Sequence, residues 1–212
     1  SEPATSQLIV DTTAPDAPVI STPADGSTTA DPTPSVTGTA EPGAAVEVRI
    51  DGTLVGSTVA DGTGAWSITP ATPLADGPHT VAATQTDPAG NTSDAASNAF
   101  TVDTAAAPPA IDPTLDGLLT DDDTPTISGT GEPGATVTVT TDSGQELGSA
   151  VVGADGTWSF DAAPMADGPH TLTAVQVDAV GNTSAASAPV TITIDTVVEP
   201  PVVDPPTEPG TT

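Results

Sequence analysis

The chain has no cysteine, and it has one basic residue, Arg49, against 29 Asp and Glu, for a formal net charge of −28. Without cysteine, neither a disulfide nor thiol chemistry is available. With a single cation, the phosphate contacts on which nucleic-acid binding depends cannot be made, and an anionic membrane surface is repelled. Aromatic residues make up 2% of the chain: Trp66, Trp158, Phe100 and Phe160. A core must therefore be built mainly from Val, Ile, Leu and Ala, which leaves sandwiches of about 90 residues marginal on buried area alone. No apolar run reaches the ~18 residues of a membrane span. No signal-peptide pattern opens the sequence, and the chain is expected to be an internal stretch of a longer protein. Present in quantity are 24 Pro and 20 Gly, and carboxylates, the hard oxygen donors that divalent cations favour.

Internal repetition decides the fold class. Ala75–Thr80 (ADGPHT) returns unchanged at Ala166–Thr171, and Gly38–Ala44 (GTAEPGA) returns as Gly129–Ala135 (GTGEPGA). Thr86–Ser93 (TDPAGNTS) returns as Val177–Ser184 (VDAVGNTS), and Trp66-Ser67-Ile68 as Trp158-Ser159-Phe160. A further string, IVDTTAP at Ile9–Pro15, recurs as TVDTAAAP at Thr101–Pro108 and TIDTVVEP at Thr193–Pro200, and it frames the units. Residues 1–11 read as the end of a preceding repeat and a linker. The first repeat covers 12–103, the second 104–195, and 196–212 form a Pro-rich linker with polyproline character.

Within a repeat, short apolar segments alternate with turn residues, at the spacing of an immunoglobulin-like sandwich. In the first repeat, strands A to G are predicted, in that order, near 19–21, 35–40, 45–51, 54–60, 65–69, 79–87 and 98–103. Val46, Val48 and Ile50 point one way and Glu47 and Arg49 the other; Val137 and Val139 alternate with Thr136, Thr138 and Thr140. That is period two with one buried face. Asp-Gly pairs at 51–52, 61–62, 76–77 and 155–156 mark turns. No helix is expected, because Pro and Gly interrupt every window long enough to hold one. The expected fold is all-β: two tandem immunoglobulin-like sandwiches of about seven antiparallel strands each, in an end-to-end rod.

The ordered combination of TPxxxGTxEPGA, a GxWS strand, the ADGPHT turn and a DxxGNTS loop resembles the bacterial immunoglobulin-like repeats of giant surface adhesins, many of them exported by type I secretion and carrying RTX repeats. The resemblance covers all but the two ends of the chain. It implies extender modules that stack into a stalk at the bacterial cell surface, stiffened by calcium at the junctions and serving adhesion or biofilm formation. Unlike antibody-type domains, this chain has no inter-sheet cysteine pair, and its tryptophan falls on the fifth strand instead of the third.

Strand direction separately predicts which acidic residues meet. Alternating strands put the B–C turn, the D–E turn and the F–G loop at one pole, with Glu41, Asp61, Asp87 and Asn91 in the first repeat. Glu132, Asp155, Asp178 and Asn182 take these places in the second. The opposite pole gathers Asp31, Asp76 and Asp103, and then Asp121, Asp122, Asp123, Asp167 and Asp195. Asp103 is expected to approach Glu132 and Asp178, and Asp11 to approach Glu41 and Asp87; Asp195 and Asp122 would serve a following repeat. Clustered carboxylates repel one another, and a calcium ion, which takes six to eight oxygens including carbonyls and water, relieves that cost. The bland alternative is that the charge only solvates the surface.

Other chemistry finds little support. Trp66 and Trp158 sit in the apolar pattern and read as core residues, not sugar platforms. His79 and His170 occupy the same turn in each repeat, with no Cys or second His beside them. No G-x-S-x-G elbow occurs, and a glycoside-hydrolase carboxylate pair lacks an aromatic cleft, so no enzyme is expected. The expected partners are neighbouring repeats of the same chain and calcium, in a monomeric extracellular rod. The rival readings are a carbohydrate- or protein-binding module and an accessory module of an extracellular hydrolase.

Overall fold

The computed structural model describes residues 10–197; the expectations for residues 1–9 and 198–212 lie outside the described residues. Two compact units are present. The first runs to Ala105 and takes in Val180–Asn182, and the rest, from Ala106 onward, is the second.

The first unit contains β1 (Val19–Thr22), β2 (Ser27–Thr29), β3 (Val36–Thr39), β4 (Ala45–Ile50), β5 (Thr53–Val59), β6 (Ala65–Ile68), β7 (Gly77–Thr86) and β8 (Ala96–Val102). They form a three-stranded sheet, β1-β3-β6, and a five-stranded sheet, β2-β8-β7-β4-β5. The period-two pattern sets which side chains meet between the sheets. Val46, Val48 and Ile50 of β4 share a buried face with Val81 and Ala83 of β7 and Phe100 and Val102 of β8, opposite Val36 and Trp66 from the other sheet. Each such side chain contributes about 1.5–3 kcal/mol on leaving water, which is how a core almost without aromatics is assembled.

The second unit repeats the plan with β9 (Ala110–Ile111), β10 (Leu118–Thr120), β11 (Thr126–Thr130), β12 (Thr136–Thr141), β13 (Glu146–Val151), β14 (Thr157–Asp161), β15 (Gly168–Val177) and β16 (Val190–Ile194). Its sheets are β14-β11-β9 and β10-β16-β15-β12-β13. Ile127, Val137, Val139, Leu172, Ala174, Ile192 and Trp158 fill the core.

The all-β sandwich class is as expected, with two differences. Each unit has an eighth strand, β2 or β10, which pairs in parallel with the last strand. An Asp-Gly turn delivers it: Gly26 and Gly117 adopt φ of +74° and +80°, and the preceding carboxylates accept hydrogen bonds from Ala99 N (2.8 Å, Asp25) and Thr191 N (2.9 Å, Asp116). The second difference is one helical turn, a 3-10 segment at Pro113–Leu115, capped by Asp112 and started by Pro; Pro is suited to that first position.

In both units the tryptophan lies against a glycine on the neighbouring strand. Gly38 pairs with Trp66 and Gly129 with Trp158. A Cβ at either glycine would meet the indole Cζ2 at 2.5 Å and also a backbone carbonyl oxygen, of Val19 or Ala110. The repeated Gly-Thr of the sequence is therefore the seat of the indole.

Candidate functional site

The candidate site is the pole at which the chain enters each sandwich. In the first unit, β7 carries Val81, Ala83 and Gln85 in inward phase, and its end opens into the Asp87–Asn91 loop. Asp87 accepts from Asn91 N and Asn91 Nδ2, both at 2.9 Å, and the same Nδ2 reaches the Asp11 carbonyl at 3.3 Å. The Asn91 side chain, then the Asn91 backbone N–H, hold the Asp87 carboxyl below its ordinary range, as expected when donors favour the charged form. Gln85, 3% exposed, takes the Glu41 N–H on its Oε1 at 2.7 Å and donates from Nε2 to the Asp16 carbonyl at 2.7 Å.

The second unit carries the same arrangement. Gln176 is fully buried, takes the Glu132 N–H at 3.1 Å and donates to the Ala107 carbonyl at 2.8 Å. Asn182, which is grouped with the first unit, donates to the Asp103 carbonyl of that unit at 2.8 Å, the counterpart of Asn91 and Asp11. Glu132 Oε1 accepts from Ala107 N at 2.7 Å, so Ala107 is held through both its N–H and its C=O.

Of the residues expected to gather, the structure thus joins Asp11, Asp87 and Asn91 in one network, and links Asn182 to Asp103 and Glu132 to Ala107. At the other pole, the N–H of Asp103 bonds the Thr29 carbonyl (2.9 Å), while the N–H of Asp31 bonds Thr29 Oγ1 (3.1 Å). Asp195 and Asp122 repeat this on Thr120, at 2.9 and 3.1 Å. Asp76 holds Thr104 through its N–H (3.0 Å) and hydroxyl (2.8 Å), and Asp167 holds Thr196 at the same two distances.

Much of the carboxylate population has a local task. Asp31, Asp61, Asp112, Asp122 and Asp155 each accept from the N–H and the hydroxyl of the Thr two residues on. The Asp11 carboxylate accepts from Thr13 N, at 3.0 Å. These are Asx turns, in which a short acidic side chain mimics a backbone turn. Thr63 and Thr157 hold the Asp61 and Asp155 carboxyls below the ordinary range in this way. Among the described residues, no three His, Cys, Asp or Glu converge as a metal-holding group. The entry pole of the first unit nevertheless presents oxygen donors of the hard kind calcium takes, the Asp87 carboxylate and the Asp11 carbonyl. Backbone carbonyls and water complete such a set readily.

The two histidines differ. His79 lies between Asp51 Oδ2 and the Ala75 carbonyl, each 2.7 Å from a ring nitrogen. The carbonyl first, and the carboxylate second, raise its pKa. His170 keeps the carbonyl contact, to Ala166 at 2.7 Å. Trp66 and Trp158 are 4% and 3% exposed, which removes them as stacking platforms. A surface groove of about 770 Å³ lies beside β11 and β14, with Trp158 in its lining but buried.

Two buried residues at the centre of the pole, Gln85 and Gln176, were not singled out by the sequence patterns. The signal was present: a polar residue in inward phase at the same place in both repeats.

Residues 17–104 and 114–196 each match the bacterial Ig-like domain family, and the chain belongs to that family. Among curated proteins no relative matches. Similar solved structures include a biofilm-associated protein BSP domain, at 22% identity and TM-score 0.35, over 86% of this chain and 30% of that one. The fibronectin(III)-like modules of Clostridium thermocellum CbhA match at 17% identity and TM-score 0.46, over 88% of this chain and 99% of theirs. Latent PorU from Porphyromonas gingivalis matches at 18% identity and TM-score 0.34, over 87% and 21%. The family assignment rests on the two domain matches and not on these likenesses.

Proposed function

We propose that the chain is a pair of non-catalytic extender modules from a large bacterial surface adhesin of the type I-secreted, RTX-bearing kind. They hold a distal domain away from the cell, in adhesion or in biofilm matrix. The observation that carries this reading is the repetition of one fastening at the entry pole of both units. Gln and Asn side chains grip the incoming backbone in the same way each time, as a module built for tandem connection requires. The buried tryptophans support it further, because they leave no aromatic surface on which to bind a sugar.

In this proposal calcium binds where the chain enters a sandwich. Asp87, Asn91, Glu41 and the Asp11 carbonyl serve the first unit; Asp178, Asn182, Glu132 and Asp103 serve the second. An affinity on the order of 10⁻⁴ to 10⁻³ M suits an extracellular calcium module, so the stalk stiffens after export. Small-angle scattering of the chain in chelator and in millimolar calcium tests this. A longer, more sharply defined maximum dimension in calcium is expected, and equal dimensions in both would contradict the calcium role.

A further inference from the structure

The buried glutamines are hydrogen-bonded through both backbone groups and through both the oxygen and the nitrogen of the side-chain amide. The Gln85 N–H donates to Ser93 Oγ at 3.1 Å, and its carbonyl accepts from Ser93 N at 2.9 Å. Its side chain takes the Glu41 N–H and gives to the Asp16 carbonyl. Gln176 does the same with Ser184 (2.9 Å in both bonds), Glu132 and Ala107. The separations along the chain are also equal, 44 and 69 residues in both units. A buried polar side chain is costly unless satisfied, and here the same costly group is placed twice at the same point.

An amide is the group this position requires. The two backbone groups to be joined are an N–H on the B–C turn and a C=O on the entering segment. Joining them takes one acceptor and one donor on a short neutral fork, which Gln supplies. A carboxylate only accepts, and would set a negative charge against the Asp16 or Ala107 carbonyl. In a chain of net charge −28 it would also add to the repulsion at an acidic pole.

We infer that Gln85 and Gln176 are metal-independent latches that fasten the segment entering each sandwich to its B–C turn. Tension arriving along that segment then meets buried side-chain hydrogen bonds before it reaches the strands. The mechanical part rests on the extender reading above; the latch itself does not. Calcium, in this account, stiffens a segment that the amide already holds.

Amide hydrogen exchange followed by NMR in chelator tests the latch directly, with the Glu41 and Glu132 N–H groups as reporters. In the unaltered chain both exchange slowly without calcium. In Gln85→Leu and Gln176→Leu the corresponding reporter exchanges roughly 10- to 100-fold faster, the scale of a buried group losing its partner, while the Val137 N–H in the core is unchanged. Gln176→Glu keeps the shape and titrates the donor. Its ionised form still accepts the Glu132 N–H but repels the Ala107 carbonyl, so the reporter for this variant is the Ala107 N–H, which exchanges faster in the ionised form and regains protection in the neutral form once corrected for the intrinsic rate. The change falls above the ordinary glutamate value of about 4.3, because burial raises it. Should the leucine variants fail to fold, the glutamate variant in acid still decides. Unchanged exchange in the leucine variants would overturn the latch, as would fast exchange of the unaltered chain in chelator or a Gln176→Glu variant indifferent to pH. None of these outcomes depends on whether calcium alters the length of the molecule, so the latch and the stalk reading fail separately.

Discussion

Replacing Gly129 by alanine places a methyl group where the structure already has atoms. The new Cβ would lie 2.5 Å from Trp158 Cζ2, 2.8 Å from Cε2, and closer still to the Ala110 carbonyl oxygen. That oxygen belongs to the backbone of β9, which pairs with β11 at Gly129↔Ile111. To admit the methyl, either β9 must leave β11 or the indole must leave the core. Overpacking of a well-filled core costs about 1–3 kcal/mol, and loss of a buried tryptophan's packing about 3–5 kcal/mol. A partial version of both gives about 3 kcal/mol. For a domain of this size that lowers the melting temperature of the second unit by roughly 12–24 °C. Trp158 is the one tryptophan of that unit, so its fluorescence follows the loss, while Trp66 reports the first unit as an internal reference. Gly62→Ala is the control: nothing stands within 4 Å of its Cβ position. There the restricted unfolded chain makes alanine neutral or up to ~1 kcal/mol stabilising. A Gly129→Ala protein melting within a degree or two of the unaltered chain would refute the packing argument.

Three further outcomes follow from other parts of the molecule. His79 has its pKa raised by Ala75 and Asp51, so its stabilisation of the first unit is complete below about pH 6.5, the unfolded value. It is lost as pH rises through the folded value; melts of the first unit between pH 6 and 8 should slope downward, and Asp51→Asn should flatten them. Leu172 is fully buried and Leu119 is 67% exposed; denaturant titration should show a loss of about 2–5 kcal/mol for Leu172→Ala and within about 0.5 kcal/mol for Leu119→Ala. Arg49, the single trypsin site, lies in β4 between β5 and β7, so electrophoresis after trypsin treatment should show the native chain intact until the first unit opens; rapid native cleavage would place Arg49 outside the sheet.

The strands with apolar alternation, such as β4, β7 and β12, were legible because burial of one face imposes period two on the residues themselves. β2 and β10 were not. Ser27-Thr28-Thr29 has no apolar alternation, and its partner β8 lies some seventy residues away in a parallel pairing. The Asp25-Gly26 and Asp116-Gly117 turns that deliver these strands were a readable signal. The 3-10 turn at Pro113–Leu115 was announced only by Asp-Pro. At the site, strand direction indicated which loops share a pole. It could not show that Asp31, Asp112 and Asp155 are held by a threonine two residues on, because that depends on local turn geometry; the D-x-T spacing was nevertheless in the sequence. Gln85 and Gln176 were readable as polar residues in an apolar phase, but their partners come from the B–C turn and the entering segment, distances that only the folded chain brings together.

In the proposed function, the entry pole of each sandwich is the fastening of an extender module, completed by calcium. A thermal melt in chelator and in millimolar calcium tests it most directly, with Asp103→Ala and Glu132→Ala beside the unaltered chain. The expected result is a calcium-dependent rise in the melting temperature of the second unit, diminished in both variants. An unchanged melting temperature with calcium, in all three proteins, would contradict it and leave the carboxylates as turn formers and solvating charge.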